Sequence, residues 1–428
     1  MKNYLFFLLI SAVLLSSCNP NKSITLVFTN PTDFPRENEV IALTYGEVEE
    51  LIGPFKQDQW PLFISGPDTL TTQFIDYRGD ALPEEILLEI SLSENESKEI
   101  NVLWVDESQY PEFPRKTSIH FARLGDPSED LDTATRVQTV KTEQTSVIYQ
   151  MEGPGWENDK VGFRNYFDLR NGMDIFGKKT PALLLMNVGL NNPSGVSQNF
   201  DFTGSYHEPA DWGMDILKVG NSLGAGAIAL ETGDSLYRIG DNGKGTYKKL
   251  YEGPLRSEFI FSFPEWEAAG KVRNISQYIS ITANQYCYKS TLSLADDEPD
   301  ATFITGVVNM HSHELIRTEP GNDHLAFITL DKQAEDGNYL GMAIMVERDQ
   351  FIAWDQTSGL ASSISDAQGN ITDTYYVKLK TEPGHPSQYR FYAFWETTDP
   401  GFKDLETIKS ILEHDALVIE NPLVIAEK

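Results

Sequence analysis

The chain has 428 residues, 40% hydrophobic and 11% aromatic, with 64 acidic side chains against 34 basic ones and a formal charge of −30 at pH 7. That apolar content supports a sizeable core and two domains, while the acidic excess argues against nucleic acid and an anionic membrane face as partners and makes any polyanionic ligand depend on a local cluster of Lys and Arg. The two cysteines are Cys18 and Cys287, and if Cys18 carries a lipid no intramolecular disulfide remains.

Residues 1–17 read as a lipoprotein signal peptide. Lys2 supplies a short positive start, Tyr4 to Leu15 is apolar, and Leu15-Ser16-Ser17-Cys18 ends the run in small residues and a cysteine. The apolar run is about a dozen residues, whereas a membrane-spanning helix needs roughly 20. Cys18 is therefore expected to be acylated, with 18–22 as a tether, so that the chain of a Gram-negative exporter is held by outer-membrane lipid. The stretch Asn19-Pro20-Asn21-Lys22 lacks an acidic run, which favours the periplasm over the cell surface.

From Ile24 the pattern turns to strands. Ile24–Phe28, Gln73–Asp76, Glu85–Ile90 and Glu99–Trp104 are short runs rich in β-branched, aromatic and other apolar residues, separated by Pro, Gly, Asn and Asp. They predict a small antiparallel sandwich over 23–110. Pro111 to Asp132 reads as a connecting segment, and 115–428 as a large second domain. Phe259–Phe263, Tyr278–Ile281, Phe303–Val308 and Phe391–Trp395 predict further strands; Asp404 to Glu413 predicts a helix with Leu405, Ile408, Ile411 and Leu412 on one face. The expected fold is mostly β: a small N-terminal sandwich, then an antiparallel supersandwich of the mutarotase and polysaccharide-lyase kind, by analogy of size.

No Walker loop, zincin helix, nucleophile elbow or dinucleotide fingerprint is present. Gly220 to Gly226 lacks the Lys-Ser/Thr ending of a phosphate loop and reads as a turn. Four segments concentrate chemistry. Trp156-Glu157-Asn158-Asp159-Lys160-Val161-Gly162-Phe163-Arg164 sets an aromatic face beside planar polar groups, the kit for gripping a sugar, or else a structural Trp with a charged edge. The loop Tyr206 to Asp215 offers His207 and Tyr206 as base and acid. His311 and His313 share a face if their segment is a strand and could join Glu208 or Asp211 on a divalent metal. Arg256, after Gly253-Pro254-Leu255, could clamp a carboxylate or form a surface ion pair. No cofactor is required by these residues; a divalent metal is the one addition they admit.

The blocks Trp-Glu-Asn-Asp-Lys-Val-Gly-Phe-Arg (156–164), Tyr-His-Glu (206–208), Gly-Met-Asp-Ile-Leu-Lys-Val-Gly (213–220), Ser-Leu-Gly-Ala-Gly (222–226), Gly-Pro-Leu-Arg (253–256) and Phe-Tyr-Ala-Phe-Trp (391–395) resemble a family of exported bacterial proteins classed as a domain of unknown function, one member of which is an ulvan oligosaccharide dehydratase. The likeness departs from the family pattern at Asn309-Met310-His311-Ser312-His313, where a Lys-His pair is more familiar. The resemblance implies removal of water from the non-reducing-end uronic acid of an oligosaccharide, leaving a 4,5-unsaturated sugar. It implies His207 as base, Tyr206 as acid, and Arg164, Lys218 or Arg256 as the cation that neutralises the substrate carboxylate. Trp156 would stack on the sugar, with Asn158, Asp159, Asp211 and His311 as further substrate contacts. A polysaccharide lyase on uronic-acid glycans and a non-catalytic glycan-binding lipoprotein are the alternatives, with an epimerase a fainter one.

Overall fold

The structure, a computed structural model, describes residues 24–428 apart from 81, 126, 137–146, 191–199, 234, 241–242, 296–300, 358–370 and 383; the signal segment, the tether and Cys18 lie outside the described residues. Strand alternation sets the architecture. In Cys287–Leu294, Tyr288, Ser290, Leu292 and Leu294 are buried on one face while Lys289, Thr291 and Ser293 lie half-buried on the other, and Arg256–Ala268 and Lys271–Thr282 repeat the period-two pattern. These strands form the middle of a nine-stranded antiparallel sheet. Its order is Thr133–Thr135, Thr246–Tyr251, Arg256–Ala268, Lys271–Thr282, Cys287–Leu294, Ser387–Trp395, Leu340–Glu347, His324–Asp331, Ile316–Thr318.

Two five-stranded antiparallel sheets pack on its inner face. One runs Gly213–Asp215, Met173–Lys178, Gly162–Asn165, Gly155–Asn158, Thr117–His120; the other Ser235–Arg238, Ala225–Thr232, Ala301–Val308, Thr374–Leu379, Phe351–Gln356. Aromatic rings seal the first seam: Trp156 lies 5.2 Å from Phe259 and 5.4 Å from Tyr288, and Phe163 lies 4.9 Å from Tyr288. At the second seam, Tyr288 donates to the Ala225 carbonyl (2.7 Å) and Tyr389 to that of Gly226 (2.6 Å). Gly226 has φ 89°, and a Cβ there would strike the Tyr288 hydroxyl, so glycine is what lets this strand come so close.

The N-terminal strands form two smaller sheets. Ile24–Thr29, Ser97–Asp106, Gln59–Ser65 and Asp68–Thr69 belong to one; Arg36–Thr44, Glu85–Leu92 and Thr72–Ile75 to the other. Between them lie Leu26, Phe28, Phe63, Ile86, Leu88, Ile100 and Val102. Helix Tyr45–Ile52, which strand patterning does not reveal, starts in a capping box of Thr44 and Glu47. The last strand, Val424–Glu427, returns to pair antiparallel with Ile24–Thr29, so both ends of the described chain share one sheet. The predicted C-terminal helix runs Leu405–Glu420, with Asp404 accepting from the Glu406 amide at 3.1 Å. Its Ile408, Leu412 and Ala416 cover part of the nine-stranded sheet's outer face, against Ala326, Ile328, Ala343, Tyr392 and Phe394. The chain is thus mostly β, in antiparallel sandwich layers, as its strand patterning indicates.

Candidate active site

Inward and outward residues alternate in the five-stranded sheet that carries Arg164. Phe163 in Gly162–Asn165 and Ile175 in Met173–Lys178 join the main core, so Arg164 and Asp174, directly paired across the two strands, project from the opposite face. Asp215 reaches the same face from Gly213–Asp215, where it stands opposite Phe176. Leu185, Val188, Phe202 and Trp212 pack over that face as a cap. The result is a charged cluster buried on both sides.

Arg164 is 1% exposed. Its Nε donates to Asp174 (3.0 Å), Nη2 to Asp174 (2.7 Å), Asp215 (2.6 Å) and the Tyr166 hydroxyl (2.8 Å), and Nη1 to the Met151 carbonyl (3.2 Å) and the Tyr206 hydroxyl (3.1 Å). Burial opposes its charge, yet Tyr166, Asp215 and Asp174 outweigh burial and hold the guanidinium well above its ordinary pKa. Asp174 moves up from its ordinary range because it is buried and sits beside Asp215, against the pull of Arg164. Tyr166 donates to Asp174 at 2.7 Å. Behind it, Arg170 stacks on the Tyr166 ring at 3.9 Å and bonds Glu152 (2.8 Å) and Asp168 (2.6 Å). Met151 and Glu152 are consecutive non-glycine residues at positive φ, 55° and 64°, a strained turn that aims the Met151 carbonyl at Arg164.

His207 stands at the surface of this cluster. Its side chain is 57% exposed, its Nδ1 is 3.1 Å from the buried Asp215 carboxylate, and its ring is centred 4.4 Å from Tyr206. The hydrogen bond to Asp215 raises its pKa, more than burial lowers it. Tyr206, whose pKa is raised chiefly by burial, keeps its proton at neutral pH, and its oxygen accepts from Arg164. Asp174 and Asp215 face the one guanidinium, and the His207 ring completes the cluster on its exposed side. The arrangement is a histidine tuned by a carboxylate beside a tyrosine primed by an arginine, as proton-transfer chemistry requires.

Of the residues singled out in the sequence, Arg164, Tyr206 and His207 come together. Arg164 is no carboxylate clamp, because every one of its nitrogens is already committed and it has no access to solvent; it positions the others. Lys218 is exposed, three residues beyond Asp215, with no hydrogen bond or ion pair to a described residue. Arg256 lies elsewhere, at the junction with the N-terminal sandwich, in a partly buried ion pair with Glu85 at 2.6 Å and bonded to Tyr251 at 2.7 Å. Trp156 has no exposed surface and packs among Phe163, Phe259 and Tyr288, which rules out stacking on a sugar. Asn158 is also buried, donating to the carbonyls of Thr282 (2.7 Å) and Gln285 (2.6 Å), and Asp159 accepts from the Asn284 amide at 2.7 Å: both secure a turn rather than a ligand. Asp211 is exposed in the loop. The strand carrying Val308 ends there, so His311 and His313 fall in a turn and lose the shared face; His313 bonds Asp331 at 2.7 Å. Among the described residues no group of three candidate metal ligands contains either histidine. Gly220 and Gly224, at φ 54° and 61°, form the expected turn before Ala225–Thr232.

Asp174, Asp215, Tyr166, Arg170 and Glu152 escape a motif search. The sign they leave is an aspartate inside apolar strand sequence, Met173-Asp174-Ile175-Phe176 and Met214-Asp215-Ile216, because a lone carboxylate among core residues needs a buried partner.

Residues 28–425 match the model of the family described as "Domain of unknown function (DUF4861)", and the chain belongs to that family. It is similar to "Uncharacterized protein P7" of Formosa agariphila, 25% identical over 293 residues, a match covering 65% of this chain and 66% of that protein, just under two thirds of its length. Among solved structures it is similar to a glycosyl hydrolase family 38 protein of Enterococcus faecalis (TM-score 0.48, 11% identity, 96% of this chain and 48% of that one). An alpha-mannosidase of Enterococcus faecalis V583 matches with TM-score 0.45 and 9% identity over 96% of this chain and 46% of its own. The chain spans about half the length of each.

Proposed function

We propose that the site around His207 removes water from the non-reducing-end uronic acid of an ulvan-type oligosaccharide. The observation that carries the reading is the exposed His207, backed through Nδ1 by the buried Asp215 and adjoining a tyrosine whose oxygen Arg164 holds. Resemblance of residues 156–164, 206–208 and 213–220 to a family that includes such a dehydratase supplies the substrate class. In this mechanism Nε2 of neutral His207 takes the C5 proton, the C5–H electron pair becomes the C4–C5 double bond, and the C4–O bond breaks. The Tyr206 hydroxyl gives its proton to the departing oxygen, which leaves as water, and Arg164 stabilises the phenolate until solvent reprotonates it. Charge building toward the substrate carboxylate requires a cation, and Lys218 is the uncommitted one close in sequence to Asp215.

The test uses saturated oligosaccharides ending in a uronic acid, followed by ultraviolet absorbance of the unsaturated uronate and by mass spectrometry. Dehydration lowers each oligomer by one water at constant length. Shortened chains would make the protein a polysaccharide lyase, and binding without a mass change a glycan-binding protein; either result overturns the proposal. Outer-membrane anchoring through an acylated Cys18, with the site facing the periplasm, completes the proposal. Metabolic labelling with a fatty acid that Cys18→Ser fails to abolish would contradict it.

A further inference from the structure

Arg164 alternates with Phe163, which packs on Tyr288 and Phe391 of the nine-stranded sheet. Lys289 and Arg390 alternate in turn with those two aromatics, so they project from the opposite outer face of the sandwich, back to back with the His207 site. They stand directly opposite one another on neighbouring strands. Like charges in that relation repel, and neither side chain forms a hydrogen bond or ion pair with a described residue. The carboxylates near Lys289 are Glu347 and Glu258. Glu347 accepts from the Gln350 amide (3.1 Å) and Glu258 from the Tyr251 hydroxyl (3.2 Å), while the nearby Arg256 is spent on Glu85. Burial first, then Arg390 and Arg256, pull the Lys289 ammonium down to about 8, as expected of a cation lacking a counter-ion. In a chain of charge −30, carboxylates are plentiful, and an unanswered cation pair is the more conspicuous.

The register supplies the neighbours. Ser280 faces Lys289, and Thr291 lies between Tyr278 and Gln388 in the next row. Tyr278 is 38% exposed. A sheet face bearing two cations, hydroxyl and amide groups and an exposed phenol ring offers an oxyanion a charge-assisted bond and a pyranose ring a surface.

We propose that this outer face is a second ligand site, in which Lys289 and Arg390 bind an oxyanion of a saccharide chain, sulfate or carboxylate, while Tyr278 packs against an adjoining sugar. The saccharide rests on the reading of the His207 site; the oxyanion does not.

Affinity electrophoresis of the full chain tests it, in gels containing a sulfated uronic-acid polysaccharide, its desulfated form, or a neutral glucan. The expected result is retardation in the charged gels, weakened about tenfold in affinity by Lys289→Gln or Arg390→Gln, with Tyr278→Ala also weakening it. Loss of retardation on desulfation assigns sulfate; its persistence assigns carboxylate. Turnover of short oligosaccharides at the His207 site should stay within about twofold of wild type in all three variants, because they lie across the core from it. Absence of turnover in the wild type would count against that site alone. Undiminished retardation in the cation variants, or equal retardation of wild type in the neutral gel, would overturn the proposal. So would a lower thermal midpoint in the ligand-free Lys289→Gln and Arg390→Gln proteins, since relief of like-charge repulsion should leave it equal or higher.

Discussion

One guanidinium facing two buried carboxylates makes Arg164 the residue on which the cluster depends. Arg164→Met would leave Asp174 and Asp215 buried without a counter-ion, and chemical denaturation should show a loss of about 3–5 kcal/mol. Asp215 governs His207 instead. As a base, His207 works when neutral, and its raised pKa places the rise of kcat/KM at a pH above the ordinary histidine value. Asp215→Asn removes the carboxylate that raises it, so the rising limb should move to lower pH, with a smaller plateau; an unmoved limb would separate His207 from the titrating group. At this scale the sequence disclosed half of the site. Tyr206, His207 and Arg164 stand out by residue type and block, but Trp156 reads as a sugar platform only until its ring is found between Phe259 and Tyr288. Composition of a segment does not tell which face of a strand meets the core when both faces are covered.

Strands were legible where aromatic and β-branched residues run together. Phe259–Phe263 and Tyr278–Ile281 alternate between buried and less buried positions, and Phe303–Val308 and Phe391–Trp395 declare themselves by composition although buried at every position, whereas Gly155–Asn158, Gly162–Asn165 and Met173–Lys178, equally buried, have charged residues interrupting their apolar ones. Their polar residues, Glu157, Arg164, Asp174 and Lys178, satisfy one another under the cap, and such pairing has no sequence period. The short strand that delivers Asp215 begins at Gly213, whose φ of 138° and close approach to the Gly177 carbonyl leave no room for a Cβ. Gly213→Ala should therefore cost at least about 2 kcal/mol in strain and clash. It should also lower activity beyond what the stability loss explains, because Asp215 and the Tyr206 backbone bonded to it move together (Asp215 N to Tyr206 O, 2.8 Å). A protein of wild-type stability and turnover would contradict that coupling.

Over the whole molecule, the return of Val424–Glu427 to the strand Ile24–Thr29 closes a contact between positions some 400 residues apart. No local pattern announces a pairing of that span. Removing residues 422–428 should raise amide exchange in Ile24–Thr29 and Ser97–Asp106 while leaving Cys287–Leu294 protected; equal exchange throughout would make that strand dispensable. The small sandwich in turn is bound to the large one where Gln73 accepts from the amides of Leu255 and Arg256 (2.9 and 2.8 Å) and donates to the Arg256 carbonyl (2.8 Å). Gly253-Pro254-Leu255-Arg256, a catalytic candidate by its arginine, is thus a structural joint. The site itself depends on the large sandwich, which supplies the sheet under Arg164, Asp174 and Asp215 and, among the described residues, leaves the His207 side exposed. Because His207 is exposed and its backbone lies in a loop, His207→Ala should preserve the fold while removing the base. The decisive measurement is the dehydration rate of this variant on saturated uronic-acid oligosaccharides, at wild-type thermal stability: a fall of about 10²–10⁴-fold is predicted, and a rate equal to that of wild type would contradict the account.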